Sequence, residues 1–234
     1  MKASKLILKF NSPENGAVIP YDHQYRTYAS LLNCIRAIDP DLAASLHQAY
    51  AAPRFVMSQI MGSGKKKFTA NGFSSDRYVL ILSSRETDLL EKIASAVESE
   101  GSLKFEDVVL PFHSYSLIPI IAPHIPVEFV TKSPIVVQIG DRYLRPGDDG
   151  FLKELKASIL RKTAAIYPDR DIGDIRYLRL IDSKNKLCTV AGGKIPCSFI
   201  RFVIDASPEI IETVVTNGVG SKNQIGFGFV EVCQ

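Results

Sequence analysis

The sequence has no run of about 18 apolar residues, so no membrane-spanning helix is expected. Its first ten residues, MKASKLILKF, hold only a three-residue apolar run before Lys9 and do not read as a secretory leader. A cytoplasmic location is the expectation. No CxxC pair exists, and no histidine stands at metal-ligand spacing from Cys34, Cys188, Cys197 or Cys233. A zinc site is therefore not indicated, and no cofactor is expected. Cys188 and Cys197 flank a hairpin pattern and could approach each other, but four reduced thiols are the preferred reading. A polybasic tail is also missing. Residues 1–125 hold 13 Lys/Arg against 12 Asp/Glu, and the remainder 15 against 13. A net charge of +3 permits a nucleic-acid partner without demanding one, so any basic surface must be assembled by the fold.

What is present is a chain able to build cores. Its 234 residues suit two domains of roughly 100 residues each. Hydrophobic residues at 46% against 23% charged predict packed structure rather than disorder. Lys5–Phe10 reads as a strand. Asp22 is placed to cap a helix reaching about Ile38, with Tyr25, Tyr28, Leu31, Leu32, Ile35 and Ile38 as its apolar stripe. Pro40 opens a second helix, Asp41–Tyr50. Arg54–Met61 and Arg77–Ser83 read as strands around a Gly/Lys-rich turn, Gly62–Lys67. That turn fails as a phosphate-binding P-loop, because Gln59 replaces the first glycine and no Ser/Thr follows the lysine. Glu86–Glu100 is a third helix and Leu103–Leu110 a strand, with the Pro-rich Pro111–Pro126 as linker or hairpin.

The second half repeats the order of elements. Val127–Ile139 opens it, Asp148–Ile166 is a long helix, and Ile175–Ile181, Leu187–Ala191 and Ser198–Ile204 are strands. Pro208–Val215 is a helix and Phe227–Val232 a last strand. The fold class is α+β: two tandem ferredoxin-like (RRM-like) β-α-β-β-α-β domains, at residues 1–122 and 123–234.

The segment most suggestive of a site follows the last helix. Gly218, Gly220, Gly226 and Gly228 fall within eleven residues, with Ser221, Lys222 and Asn223 between them. Glycines lacking a Cβ would let a phosphate backbone come close, and exposed N–H groups would form a nest for it; a tight turn with a bulge explains the same spacing. Lys153, Lys156, Arg161 and Lys162 on the long helix could add a basic face, or merely its wet side.

Gly218-Val-Gly-Ser-Lys-Asn-Gln-Ile-Gly-Phe-Gly-Phe-Val-Glu-Val232 resembles the glycine-rich loop of the RAMP superfamily. Within it, the segment is similar to that of the CRISPR-associated repeat-RNA-processing endoribonucleases of the Cas-six type. Ile19-Pro-Tyr-Asp-His-Gln-Tyr25, Leu46-His47 and Phe129–Val137 resemble further parts of that family. The resemblance implies two ferredoxin-like domains and metal-independent cleavage of CRISPR repeat RNA. In such cleavage the RNA's own 2′-hydroxyl attacks, leaving a 5′-hydroxyl and a 2′,3′-cyclic phosphate. It implies His47 as general acid or base, and Arg54, after Pro53, as the group steadying charge where relatives carry lysine. Leu32 stands where some relatives place a catalytic tyrosine. Tyr28, one turn earlier, is the candidate to replace it, but a core role is the preferred reading. The implied partner is repeat RNA; other effector-complex subunits and a homodimer remain open. The rival readings are an RNA-binding RAMP subunit without catalysis and a generic RRM module, whose aromatic signature is missing.

Overall fold

The computed structural model describes residues 3–13, 16, 18–48 and 52–233. The end of the second expected helix, at Tyr50, lies outside them.

Strand β1 (Ser4–Asn11) buries Leu6, Leu8 and Phe10 on one face and turns Lys5, Ile7 and Lys9 to the other, the period-two pattern of a strand with one core face. After a short β2 (Ile19–Pro20), helix α1 (Gln24–Ile38) buries Tyr28, Leu31, Leu32 and Ile35. Ile38, expected in that stripe, is exposed. Asp22 is not the cap. His23 occupies that position without a side-chain cap bond, and Asp22 reaches the other domain instead. Helix α2 (Pro40–His47) starts as its sequence dictates: Asp39 accepts from the Leu42 amide at 2.9 Å and Pro40 fills the first turn.

Strands β3 (Val56–Met57), β4 (Met61–Phe68) and β5 (Gly72–Ser84) follow. The Gly/Lys-rich segment is thus strand β4 and not a turn. A register shift between Ser63 and Lys66, with Gly64 at φ 90°, absorbs its glycine, and the chain reverses at Thr69–Gly72. Helix α3 (Thr87–Glu100) ends at Gly101 in the left-handed conformation. The expected strand over 103–110 is two, β6 (Ser102–Phe105) and β7 (Val108–Pro119), split at Glu106, whose φ is 52°. Much of the Pro-rich segment is therefore sheet: β7 pairs along β1. The strands run β4–β5–β1–β7, antiparallel throughout, with β2 and β3 also on β5 and β6 beyond β7. Helices α1 and α3 cover one face.

The second unit repeats this plan with β8 (Val127–Thr131), a small β9 (Val137–Ile139) and β10 (Arg142–Leu144) pair, and α4 (Phe151–Ile166). It continues through β11 (Tyr177–Val190), β12 (Gly193–Asp205), α5 (Pro208–Asn217) and β13 (Val230–Val232). Its order, β11–β12–β8–β13, is that of the first sheet. Both halves are the ferredoxin-like arrangement. The two strands expected over 175–191 are one, because β12 pairs along it from Tyr177 to Val190 across a single irregularity. On α4, Leu155 and Ile159 are buried and Leu152 is exposed.

Each unit has its own core. Val56, Ile81 and Phe229 form a smaller apolar cluster where the units meet, beside the Lys5–Glu231 ion pair at 3.5 Å. Among the described residues no helix is long and apolar enough to cross a membrane.

Candidate active site

The glycine-rich loop is held from within the protein. Gly218, Gly220, Gly226 and Gly228 are buried, all with φ between 72° and 89°. A Cβ on Gly220 would meet the Val136 carbonyl; on Gly228 it would meet the Val219 carbonyl and the Asn223 amide. At Gly226 the Met57 methyl stands 2.7 Å from that position. The bare Cα atoms thus face the chain itself, and close internal packing accounts for the glycines. The expectation that they make room for a nucleic-acid backbone gives way on this point. Asn223 is likewise internal: its amide donates to the carbonyls of Val219 and Phe227 at 2.9 and 3.0 Å. Ser221 bonds Val136 through its amide at 2.7 Å. Ser221, Lys222 and Gln224 are the partly exposed polar side chains of the loop.

One residue beneath the loop, expected on a basic face of the long helix or merely on its wet side, lies on neither. Lys162 is 4% exposed. Its Nζ donates to the Gly218 and Gly220 carbonyls and to Asn223 Oδ1 at 2.5, 3.0 and 2.9 Å. Burial pulls its pKa down to about 7. The three acceptors oppose that pull, because a neutral amine has only two N–H donors. The signal was there: Lys162 falls three residues after Ile159, on the buried stripe of α4. Its neighbours differ. Lys156 pairs with Asp174 and Arg161 with Glu154 at the surface, and Lys153 is exposed.

The loop meets α2. Gln224 Nε2 donates to the Gln48 carbonyl at 2.5 Å, and Asn217 Nδ2 to the Pro53 carbonyl at 2.5 Å. On the other side of His47, the Tyr28 hydroxyl donates to the Leu46 carbonyl at 3.1 Å. The backbone is therefore fixed at residues 46 and 48, while the imidazole of His47 is exposed between them. The fold brings His47 and the glycine-rich loop, 170 or more residues apart, to one seam.

Tyr28 itself is buried, with its hydroxyl occupied and its pKa pushed up to about 12 by desolvation. Its ring packs near Phe55 in the first core. Such a phenol is a poor proton donor or acceptor near neutral pH. Tyr28→Phe should leave the single-turnover rate within about threefold, while the lost hydrogen bond costs about 1 kcal/mol of stability. Rapid-quench rates and thermal melts measure the two effects; a tenfold slower rate at unchanged melting temperature would move the phenol into the chemistry.

Arg54 reaches the same seam but is engaged. Its Nε donates to Glu86 at 3.0 Å, its Nη2 bonds the second Glu86 oxygen, and its Nη1 lies 3.3 Å from Ser45 Oγ. A phosphate would have to share or displace these partners.

The buried histidine, His23, is structural. The Ile60 amide donates to His23 Nε2 at 2.9 Å, so Nδ1 carries the proton, 2.6 Å from the Pro20 carbonyl. Burial lowers its pKa to about 4 and keeps it neutral. Among the described residues no three His, Cys, Asp or Glu side chains gather as a metal site.

Two ferredoxin-like units that meet at a glycine-rich loop, with an exposed histidine beside it, define a tandem ferredoxin-like protein. The N-terminal model of CRISPR-associated protein Cas6 matches residues 18–114, and the C-terminal model matches residues 122–232. The chain belongs to the Cas6 family. It is 26% identical over 235 residues to a putative CRISPR-associated endoribonuclease-like protein, Cas6nc, of Pyrococcus horikoshii, covering 94% of this chain and 96% of the relative. It is 24% identical over 237 residues to CRISPR-associated endoribonuclease Cas6 1 of Methanocaldococcus jannaschii, covering 93% and 88%. A solved structure of a Cas6-related gene product from Pyrococcus furiosus superposes with a TM-score of 0.83 at 25% identity, over 100% of this chain and 99% of the other.

Proposed function

We propose that this protein is an endoribonuclease that cuts CRISPR repeat RNA, with His47 as the general acid or base. The observation that carries the reading is the placing of His47: exposed at the seam, with hydrogen bonds holding the backbone at Leu46 and Gln48 on either side. An imidazole can give or take a proton, and positioned acid–base groups contribute about 10²–10⁴ in rate. The 2′-hydroxyl of the RNA attacks the adjacent phosphorus. The products are a 5′-hydroxyl and a 2′,3′-cyclic phosphate, and no step needs a metal. The first unit, residues 1–122, brings His47; the second, residues 123–234, brings the loop. Arg54, preset by Glu86, steadies the phosphorane charge by taking the phosphate in place of Ser45 or Glu86. Ser221, Lys222 and Gln224 meet the RNA backbone from the loop.

Cleavage of repeat RNA at one site should continue in excess EDTA and stop when the nucleotide 5′ of the cut is a 2′-deoxynucleotide. Denaturing gels of end-labelled RNA show both. Activity lost in EDTA and restored by magnesium overturns the metal-free mechanism.

A second reading has its own observation. With Tyr28 buried and Arg54 bound by Glu86, His47 stands without an unengaged partner among the residues proposed for catalysis. A subunit that binds repeat RNA without cutting it, alone or in an effector complex, fits that arrangement. Tight binding with no cleavage, in the same assay, selects it.

A further inference from the structure

Two thiols lie together on the β11–β12 hairpin, packed against Phe227 of the glycine-rich loop. Cys188 on β11 and Cys197 on β12 are both buried and both free. The two sulfurs are 3.2 Å apart, and the Cys197 thiol also lies 3.4 Å from the Lys186 carbonyl. In the β11–β12 register Cys188 faces Ile195 and Cys197 faces Lys186, so the two are diagonal neighbours. Val136, Ile195 and Phe227 pack around them. The other two cysteines are elsewhere: Cys34 lies in the first core, its thiol 3.8 Å from the Ser102 carbonyl, and Cys233 follows β13.

We propose that Cys188 and Cys197 are a reversible oxidation site, which a small peroxide converts to a disulfide across the β11–β12 hairpin. A disulfide bond is about 2.05 Å long, so the sulfurs must close by roughly 1 Å. Cys188 is the first thiol to attack: the close Cys197 thiol, with Lys186 adding to the effect, lowers the pKa of Cys188, while the same pairing raises that of Cys197.

The chemistry balances. The Cys188 thiolate attacks one peroxide oxygen and the O–O bond breaks. The sulfur becomes a sulfenic acid, and the departing oxygen leaves as water with the proton displaced from the site. The Cys197 sulfur then attacks Cys188 and the S–O bond breaks, releasing a second water. Two thiols and one hydrogen peroxide give one disulfide and two waters; the sulfurs lose two electrons and the peroxide gains them. A dithiol reverses the modification by exchange.

The position gives the bond a consequence. Lys186, directly opposite Cys197, donates to the Tyr21 carbonyl at 2.7 Å and pairs with Asp22 at 3.4 Å. Thr189, next to Cys188, donates to Asp22 from its amide and its hydroxyl, each at 3.2 Å. These four contacts join the hairpin to the start of α1. They edge a cleft of about 610 Å³ between the units, lined in part by Tyr21, Lys66, Phe68 and Leu187. Covalent closure at this point ties down the part of the hairpin that holds the seam.

The test begins with the unaltered protein. In reduced form it is treated with one equivalent of hydrogen peroxide, blocked with iodoacetamide, digested without reductant and analysed by mass spectrometry. The expected result is a cross-linked Cys188–Cys197 peptide pair two hydrogens lighter than the sum, removed by dithiothreitol, with Cys34 and Cys233 carrying the alkyl label. Amide exchange at Tyr21–His23 should slow in the oxidised form. In Cys197→Ser, dimedone should trap a sulfenic acid at Cys188, because the resolving thiol is gone. Oxidation appearing first at Cys34 or Cys233, or Cys188 passing to sulfinic acid without a cross-link in the unaltered protein, overturns the proposal. So does a fully alkylated set of four cysteines after peroxide.

Discussion

Replacing His47 by alanine should slow single-turnover cleavage of repeat RNA at least about a hundredfold, the lower range for losing a positioned acid–base group. Three observations make this a clean experiment. The imidazole is exposed at the end of α2, so its removal opens no cavity and should shift stability by less than about 0.5 kcal/mol. The backbone on both sides is held by Tyr28 and Gln224, whose hydrogen bonds go to main-chain oxygens and survive the substitution. The affinity for repeat RNA should stay within a few-fold, since the partly exposed loop side chains Ser221, Lys222 and Gln224 are intact. Cleavage is read by rapid quench and binding by filter retention with uncleavable 2′-deoxy RNA. Unchanged cleavage in the variant removes His47 from the mechanism altogether. A parallel loss of binding and cleavage gives it a contact role instead of a chemical one.

Lys162→Met should be the most damaging single change to the loop. Methionine fills similar space, but three buried oxygens, of Gly218, Gly220 and Asn223, lose their donor. An unsatisfied buried acceptor costs about 1–3 kcal/mol, and relief from burying a charge offsets part of the sum. A net loss on the order of 3 kcal/mol, or roughly 6–12 °C in melting temperature, is expected for a chain of this size. Binding of repeat RNA should weaken with it, because the loop positions Gln224 against α2.

The pH dependence carries a sign that identifies the residue. The folded-state pKa of Lys162 is lowered to about 7 from an ordinary 10.5. Between those values the unfolded chain holds the proton and the folded chain does not. The contribution to stability therefore rises as pH climbs through that window, and it is flat below about 7. Melting curves between pH 7.5 and 9.5 should be flatter for Lys162→Met than for the unaltered protein. Identical slopes would mean that Lys162 keeps its proton throughout, and an unchanged melting temperature would mean that the three bonds carry no stability.

The repeat of strand and helix order was legible because periodicity is local. Leu6, Leu8 and Phe10 alternate in β1, and Tyr28, Leu31, Leu32 and Ile35 recur at helical spacing in α1; each pattern is complete within a few turns of chain. Helix starts were partly legible for the same reason. Pro40 and Pro208 open their helices as expected, whereas Asp22 left its helix for Thr189 on the other unit. The Gly62–Lys67 segment misled because glycine marks a bulge as readily as a turn.

By itself, then, the sequence determined the two ferredoxin-like units, their helical faces and a family of origin, since these rest on spacing and on motif residues that lie side by side. It also marked His47 and the glycine-rich loop as candidates. What only the tertiary structure decided is what those residues touch. Glu86 takes up Arg54 from 32 positions away, Lys162 crosses 56 to 61 positions to the loop, and Gln224 crosses 176 to reach Gln48. The inward aim of the four glycines is of the same kind, set by Val136, Met57 and Val219. A hydrogen bond or a close approach depends on the position of both partners, and for residues so far apart that position exists only once both sheets have formed and packed together.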